Sequence, residues 1–292
     1  MESEQYLRAA FSRNIGLLSE AQQERLLSSR VAVAGAGGVG GLHILALARL
    51  GVGNFTIADF DTFDVVNINR QFGAMSSTIG KPKVEVLARM TRDINPYADV
   101  RVFGEGINAE NLDAFLQGAD VYVDGIDFFE IEIRRLIFNR CRALGIPALT
   151  SAPLGFGATL QVFVPGGMGF DEYFGIRDGM GHWEMVAAFA AGLAPRPYHL
   201  KYLDMSKVSM AKKRGPAVAP ACTLAAALIA TEVAKIVTGN GTVRPVPSYL
   251  QIDLLRGKFK QGKVWLGGRN PLQRLLKSLI LRKVRAESQG EP

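Results

Sequence analysis

Cysteine is scarce in this 292-residue chain: Cys141 and Cys222 are its two, and neither belongs to a C-x-x-C pair. That excludes a four-cysteine zinc site, and no structural zinc is expected. Cys141 falls in a segment of helical periodicity and reads as a small buried apolar residue. Histidine is scarce too. His43, His182 and His199 are scattered at no metal-ligand spacing, so each reads as an ordinary helix or surface residue. No apolar run reaches the ~18 residues that suggest a membrane span. Residues 1–12 lack the basic start and apolar core of a secretory signal. A cytoplasmic protein is therefore expected. Internal repeats and low-complexity tracts are absent as well.

What is present suits a globular α/β chain. With 48% hydrophobic residues, the length supports one large domain or two small ones. The net charge of +7 is unevenly placed. Residues 254–292 hold ten Lys or Arg and two Glu, a net +8, which leaves −1 for the remainder. The basic character thus belongs to the C-terminal segment.

Hydrophobic periodicity predicts an alternation of strands and helices. Residues 30–34 form an apolar strand ending in Gly35-Ala-Gly-Gly-Val-Gly40, followed by a helix over 42–50 and a strand over 54–58 that ends at Asp59. This is β-turn-α-β with a glycine turn, the opening of a dinucleotide-type sheet. Helices are predicted over 82–94, 109–116 and 129–144, with strands over 99–103, 121–123 and 147–151. Such alternation implies a mostly parallel sheet covered on both faces, binding ligands at its strands' carboxyl ends. After Pro153 the pattern changes. A strand over 157–164 leads into a Gly- and Pro-punctuated stretch, 165–220, with basic residues at Lys212-Lys-Arg214. This stretch is expected to run over the surface with one short helix near 183–191. An apolar helix over 222–238, a hairpin over 250–265 and a basic amphipathic helix over 271–284 complete the chain.

Gly35, Gly37, Gly38 and Gly40 let backbone N–H groups approach phosphate at a helix N-terminus. Asp59 stands where a carboxylate meets ribose hydroxyls. Both features serve a nicotinamide or flavin site equally well, and a tight turn without a ligand is the bland alternative. The stretch Asp59-Phe-Asp-Thr-Phe-Asp-Val-Val-Asn67-Ile-Asn69-Arg70-Gln71, followed by Gly80-Lys-Pro-Lys83, discriminates between them. A triphosphate uses Arg as a planar fork and Lys as a compact charge, and both neutralise charge as pyrophosphate departs. Asp127, beyond the 121–123 strand, offers oxygen ligands to Mg²⁺. The alternative for each of these residues is a solvated surface charge.

Ser12-Arg13-Asn14, the glycine turn, Asp-Phe-Asp, Asn-x-Asn-Arg-Gln, Gly-Lys-Pro-Lys and the later Asp together resemble the ThiF/MoeB branch of the ubiquitin-activating-enzyme superfamily. The resemblance covers roughly residues 11–164 and resumes weakly at 220–239 and 251–259. It implies a Rossmann-like, doubly wound α/β fold: a mainly parallel sheet with an added antiparallel portion, a long crossover segment and a C-terminal helix. It divides the chain into an adenylation domain, 1–255, with the crossover at about 165–220, and a basic hairpin and helix extension, 256–292. Positions matching Gly38, Asp59, Asn67, Arg70, Lys83 and Asp127 bind ATP and Mg²⁺ in that family. The position matching Arg13 reaches the ATP of the partner subunit in a homodimer. Asn69 and Gln71 belong to the same nucleotide motif.

The chain also departs from the family. The paired C-x-x-C zinc ligands are absent, and a Thr-Asp-Asn signature reads Ile126-Asp127-Phe128. The crossover, where a thioester- or persulfide-forming cysteine lies in relatives, has none. Cys222 follows it, at a predicted helix N-terminus where the dipole lowers a thiol pKa. It is either a nucleophile or a core or pocket-wall residue.

The resemblance implies ATP-dependent adenylation of a carboxylate without a catalytic cysteine. Its substrate is the C-terminus of a peptide or ubiquitin-like carrier, a small-molecule acid or a tRNA-linked acid. An NAD- or FAD-dependent oxidoreductase and a non-catalytic nucleotide-binding member are the alternatives. The basic helix, with Leu272, Leu275, Leu276, Leu279 and Ile280, packs on its own or a partner subunit, or docks on nucleic acid or an anionic membrane.

Overall fold

A computed structural model describes residues 2–209, 213 and 215–289, the last five by their backbone alone. Lys212 and Arg214 lie outside the described residues. Two helices, α1 (Ser3–Ala10) and α2 (Glu20–Ser28), precede the first strand. Serine 19 and Gln22 close α2 with a reciprocal capping box. The predicted alternation follows: β1 (Arg30–Ala34), α3 (Gly40–Leu50), β2 (Asn54–Ala58), α4 (Lys83–Ile94), β3 (Asp99–Phe103), α5 (Leu112–Leu116), β4 (Val121–Asp124), α6 (Ile131–Leu144) and β5 (Ala148–Thr150). Then come β6 (Pro153–Leu154), β7 (Gly157–Phe163), α7 (Phe170–Phe174), α8 (His182–Leu193), α9 (Ala219–Thr238), β8 (Ser248–Asp253), β9 (Lys258–Lys263) and α10 (Pro271–Gln289).

The nine strands form one sheet in the order β3-β2-β1-β4-β5-β7-β8-β9, with β6 beside β7. Pairing is parallel from β3 to β5 and antiparallel from β5 onward. The fold is therefore the Rossmann-like α/β sheet with an antiparallel addition. β1 is buried along its whole length, as a parallel strand covered on both faces must be. From β1 the chain turns one way to β2 and β3, then returns to place β4 on the other flank. The crevice beyond β1 and β4 is thus the switch point, where such sheets bind ligands.

Two of the expectations for the second half are corrected. The crossover does not run over the surface throughout. Phe170, Tyr173 and Phe174 of α7 are buried, as is most of α8, and their rings pack against Phe138 and Phe163. And α9, at 20 residues with mean hydropathy 1.6, is long and apolar enough to cross a membrane by length and composition. Here it is a core helix: Ala221, Ala225, Ile229 and Val233 are buried against α3 and β7. In α10, Val284 is buried while Leu272, Leu275 and Leu279 are exposed. Lys277 donates to Glu184 of α8 at 2.8 Å.

His43 on α3 is fully buried, and neither ring nitrogen has a partner. Burial lowers its pKa from 6.5 to about 3. The unfolded chain then binds a proton below pH 6.5 that the folded protein refuses until about pH 3. Stability is expected to fall by about 2 kcal/mol between pH 7 and pH 5 from this residue alone. Urea unfolding of wild type and His43→Leu measures it. An identical pH slope in both proteins would refute it.

Candidate nucleotide site

The glycine turn follows β1 and is held by three backbones in close approach. A Cβ on Gly35, whose φ is +89°, would lie 2.1 Å from the Gly125 carbonyl oxygen. One on Gly40 would lie 1.8 Å from that of Gly35. Only glycine lets the turn, the start of α3 and the segment after β4 meet. Gly37 and Gly38 face outward from this knot. A Cβ on Gly37 would meet Gln71 Nε2 at 3.7 Å, and one on Gly38 would meet Cys222 Sγ at 3.3 Å and the Arg70 side chain at 3.7 Å.

Asp59, at the end of β2, braces the turn from beneath. Its Oδ2 accepts the Ala36 N–H at 2.6 Å and its Oδ1 accepts the Asp61 N–H at 2.8 Å. Asp61 in turn accepts from Lys83 Nζ at 2.8 Å. The Lys83 side chain is 7% exposed. A lysine opening a helix opposes the helix dipole, so its place at the start of α4 calls for another reason than helix stability. The backbone fixes it as well: Lys83 N donates to Asp61 O, Phe63 N to Lys81 O and Gly80 N to Phe63 O.

Between these loops runs the Asn67–Gln71 segment. Asn67, buried, accepts the Asp64 N–H through Oδ1 at 3.0 Å. Asn69 donates to the Ala217 carbonyl at 2.9 Å, which ties the segment to the entry of α9. Arg70 donates to the carbonyl of Val66 at 3.0 Å and to Asn69 Oδ1 at 2.9 Å. Gln71 is buried with its Oε1 unpartnered.

Asp127 is exposed, three residues past β4, and its Oδ1 accepts the Phe129 N–H at 3.0 Å. The loop carrying it is clamped by Arg134. That guanidinium donates to Asp124 Oδ2 at 2.8 Å and to the carbonyls of Ile126 at 2.5 Å and Asp127 at 3.1 Å. Thr150 also donates to Asp124 Oδ2, at 2.8 Å. Motif reading gave Asp61 no role of its own within Asp-Phe-Asp and passed over Asp124 and Arg134. A carboxylate ending an otherwise apolar strand, β4, was the available signal for Asp124.

Cys222 is the fourth residue of α9 and is buried with Leu42 and Ala226. Burial pushes its thiol up to about 11, against the opposing pull of Arg70. The expectation that a helix N-terminus lowers this pKa is thereby reversed: desolvation outweighs the dipole.

Arg13 is not brought to the turn. It is exposed, and its neighbour Asn14 donates to the Leu50 carbonyl at the far end of α3. Eleven residues of helix place that carbonyl roughly 16 Å from Gly40. The other positions gather around the turn and the loops bonded to it.

Fold and site together define a Rossmann-like α/β protein with cationic side chains gathered about its glycine turn. The chain belongs to the ThiF family, whose model matches residues 11–271. It is 38% identical over 132 residues to the tRNA threonylcarbamoyladenosine dehydratase of Haemophilus influenzae, covering 45% of this chain and 50% of that protein. To the SAMP-activating enzyme E1 of Haloferax volcanii it is 37% identical over 145 residues, 50% of this chain and 53% of that protein. The chain thus spans about half the length of the curated relatives it matches. Among solved structures, E. coli MccB with ATP superposes with a TM-score of 0.66 at 20% identity, covering 88% of this chain and 71% of that one. PaaA superposes with a TM-score of 0.67 at 18% identity, covering 90% and 75%. At such identity these two structures establish the fold.

Proposed function

We propose that this protein is an ATP-dependent adenylyltransferase that activates a carboxylate and releases pyrophosphate. The observation carrying this reading is the junction of Gly38, Arg70 and the Asp59–Asp61–Lys83 chain around one turn. The cradle at Gly37 and Gly38 and the unpartnered Gln71 Oε1 fit a nucleotide. In this reading the turn's amides hold phosphate, and Asp59 takes the ribose through its remaining lone pairs. Arg70 and Lys83 stabilise the departing pyrophosphate. Among the described residues no group of three or more His, Cys, Asp or Glu could hold a metal. The single carboxylate of Asp127 still suits Mg²⁺, which is held by one or two carboxylates, phosphate oxygens and water. When bound, the metal would neutralise phosphate charge.

The substrate is read as a free C-terminal carboxylate of a peptide or small carrier protein. Relatives named for the sulfur carrier ThiS and for SAMP support this, while those named for tRNA threonylcarbamoyladenosine support a tRNA-linked acid. Both offer a carboxylate to the same chemistry. The protein is read as a cytoplasmic homodimer. Phe60, Val65, Val66 and Ile68, which follow β2, are half exposed or more, apolar side chains of the kind a partner covers. A two-fold axis would carry each Arg13 to its neighbour's turn.

The test is calorimetry with Mg-ATP and with NAD, followed by ATP–pyrophosphate exchange against peptides with free or amidated C-termini. The preparation is sized by light scattering. Binding of Mg-ATP, exchange with free acids alone and a dimer are the expected results. Tight NAD binding without ATP binding would refute the nucleotide assignment, and an active monomer would refute the role of Arg13.

Cys222 is read as pocket wall, with the acceptor attacking the acyl-adenylate directly. Cys222→Ser is expected to keep exchange and product formation and to lose about 1–2 kcal/mol of stability from the buried hydroxyl. Mass spectrometry of enzyme quenched in turnover checks it. A reductant-sensitive adduct on Cys222, with product formation lost in the serine variant, overturns it.

A further inference from the structure

A cavity of about 640 Å³ lies away from the glycine turn. The end of α9 that lines it leads to Thr238, whose carbonyl accepts from Arg25 of α2, just ahead of β1. The cavity is thus at the amino ends of the parallel strands, whereas the nucleotide site follows their carboxyl ends. Its floor is the sheet face where Leu160, Leu250 and Gln261 stand in register across β7, β8 and β9. One wall is the second half of α9, the other the 242–245 loop.

Its charged groups are of two kinds. Glu232 is 8% exposed, and its Oε1 accepts from Lys235 Nζ at 2.5 Å. Its Oε2 is buried without a partner. A buried acceptor left in that state costs about 1–3 kcal/mol, more when charged, so this oxygen calls for a donor. Across the floor, Arg244 donates to Gln261 Oε1 at 2.7 Å and Lys263 lies 4.8 Å over the Trp265 ring. Neither cation has an acidic partner among the described residues. Leu160, Val162 and Leu250 supply aliphatic surface to the same space.

A ligand that satisfies all three features has an ammonium group, an anionic end and an aliphatic body. We propose that this cavity binds a small aliphatic zwitterion, a free amino acid or a short unblocked peptide. The ammonium group donates to Glu232, the carboxylate meets Arg244 and Lys263, and the side chain rests on Leu160 and Leu250. The recognition is charge-assisted at the ammonium group and at the carboxylate and apolar at the side chain that branches from them.

The experiment is isothermal calorimetry on the full chain with L-leucine and with L-leucyl-L-leucine. N-acetyl-L-leucine, which lacks the ammonium group, and L-leucinamide, which lacks the carboxylate, are the controls. One-to-one saturable binding of leucine or the dipeptide is expected, and whichever binds tighter assigns the source. Each control should bind at least about tenfold more weakly. Glu232→Gln and Arg244→Gln should each raise the dissociation constant at least about tenfold while Mg-ATP binding is unchanged. The controls act on the unaltered protein, so a folding defect in Glu232→Gln leaves the test intact, and Arg244 is exposed. No saturable binding of either zwitterion up to about 10 mM, or equal binding of the blocked compounds, would overturn the proposal.

Discussion

Replacing Lys83 with alanine is expected to lower the maximal rate of ATP–pyrophosphate exchange by about 10²–10³-fold. The dissociation constant for Mg-ATP should stay within about fivefold. The argument starts from position. A lysine at the first turn of α4 works against the helix dipole, yet its side chain is nearly buried and its ammonium group is held at 2.8 Å by Asp61. Asp61 is bonded through its own N–H to Asp59, the carboxylate that braces Ala36 in the turn. The cation is therefore indexed to the glycine turn, with its rotamer freedom already lost on folding. Charge on the leaving pyrophosphate grows only as the bond breaks, so a fixed cation favours the transition state over bound ATP. Asp61→Asn leaves the cation in place with a weaker anchor and should cost less, about tenfold. Calorimetry and exchange kinetics on the two variants separate the effects. A loss confined to ATP binding would place Lys83 on ground-state phosphates, and unchanged exchange would remove it from the site.

How far such residues can be read from sequence depends on where their partners lie. The parallel half of the sheet was legible because strands such as β1 and β4 are buried on both faces and appear as short apolar runs. The turn was legible because its glycines are forced by backbone contacts. The anchoring of Lys83 was not, since Asp61 lies twenty-two residues away and no local rule joins them. Phe170–Phe174 is too short to show a helical period, and its burial comes from rings contributed by α6, β7 and α8. The direction of the Cys222 pKa shift was not legible for a related reason. A helix N-terminus is visible in sequence, whereas the desolvation that outweighs it comes from Leu42 and the turn. The cavity beside Glu232 draws its walls from β7, α9, β8, β9 and the loop between α9 and β8, so no single segment announces it.

The Arg134–Asp124 pair tests whether the loop bearing Asp127 must be held. Both side chains are nearly buried, at 3% and 2% exposure. Arg134→Met keeps much of the volume but leaves Asp124 buried without its cation, which should cost about 3–5 kcal/mol in urea unfolding. The same change removes the donors to the carbonyls of Ile126 and Asp127 and the guanidinium stacked 4.5 Å over Phe189. Exchange should therefore fall even at temperatures where the variant is folded. The two effects separate in Asp124→Asn/Arg134→Met. No buried charge remains there. The asparagine Oδ1 can still accept the Ile126 N–H while its amide donates to the Thr150 hydroxyl, so at least half of the lost stability should return. Exchange should stay low, because nothing replaces the guanidinium against the loop carbonyls. If the double variant recovers both stability and exchange, Arg134 serves only to balance a buried carboxylate, and the loop keeps Asp127 in place through its own turn at Phe129. If stability returns and exchange does not, Arg134 is a positioning residue, acting through the Asp127 loop on a nucleotide it does not touch.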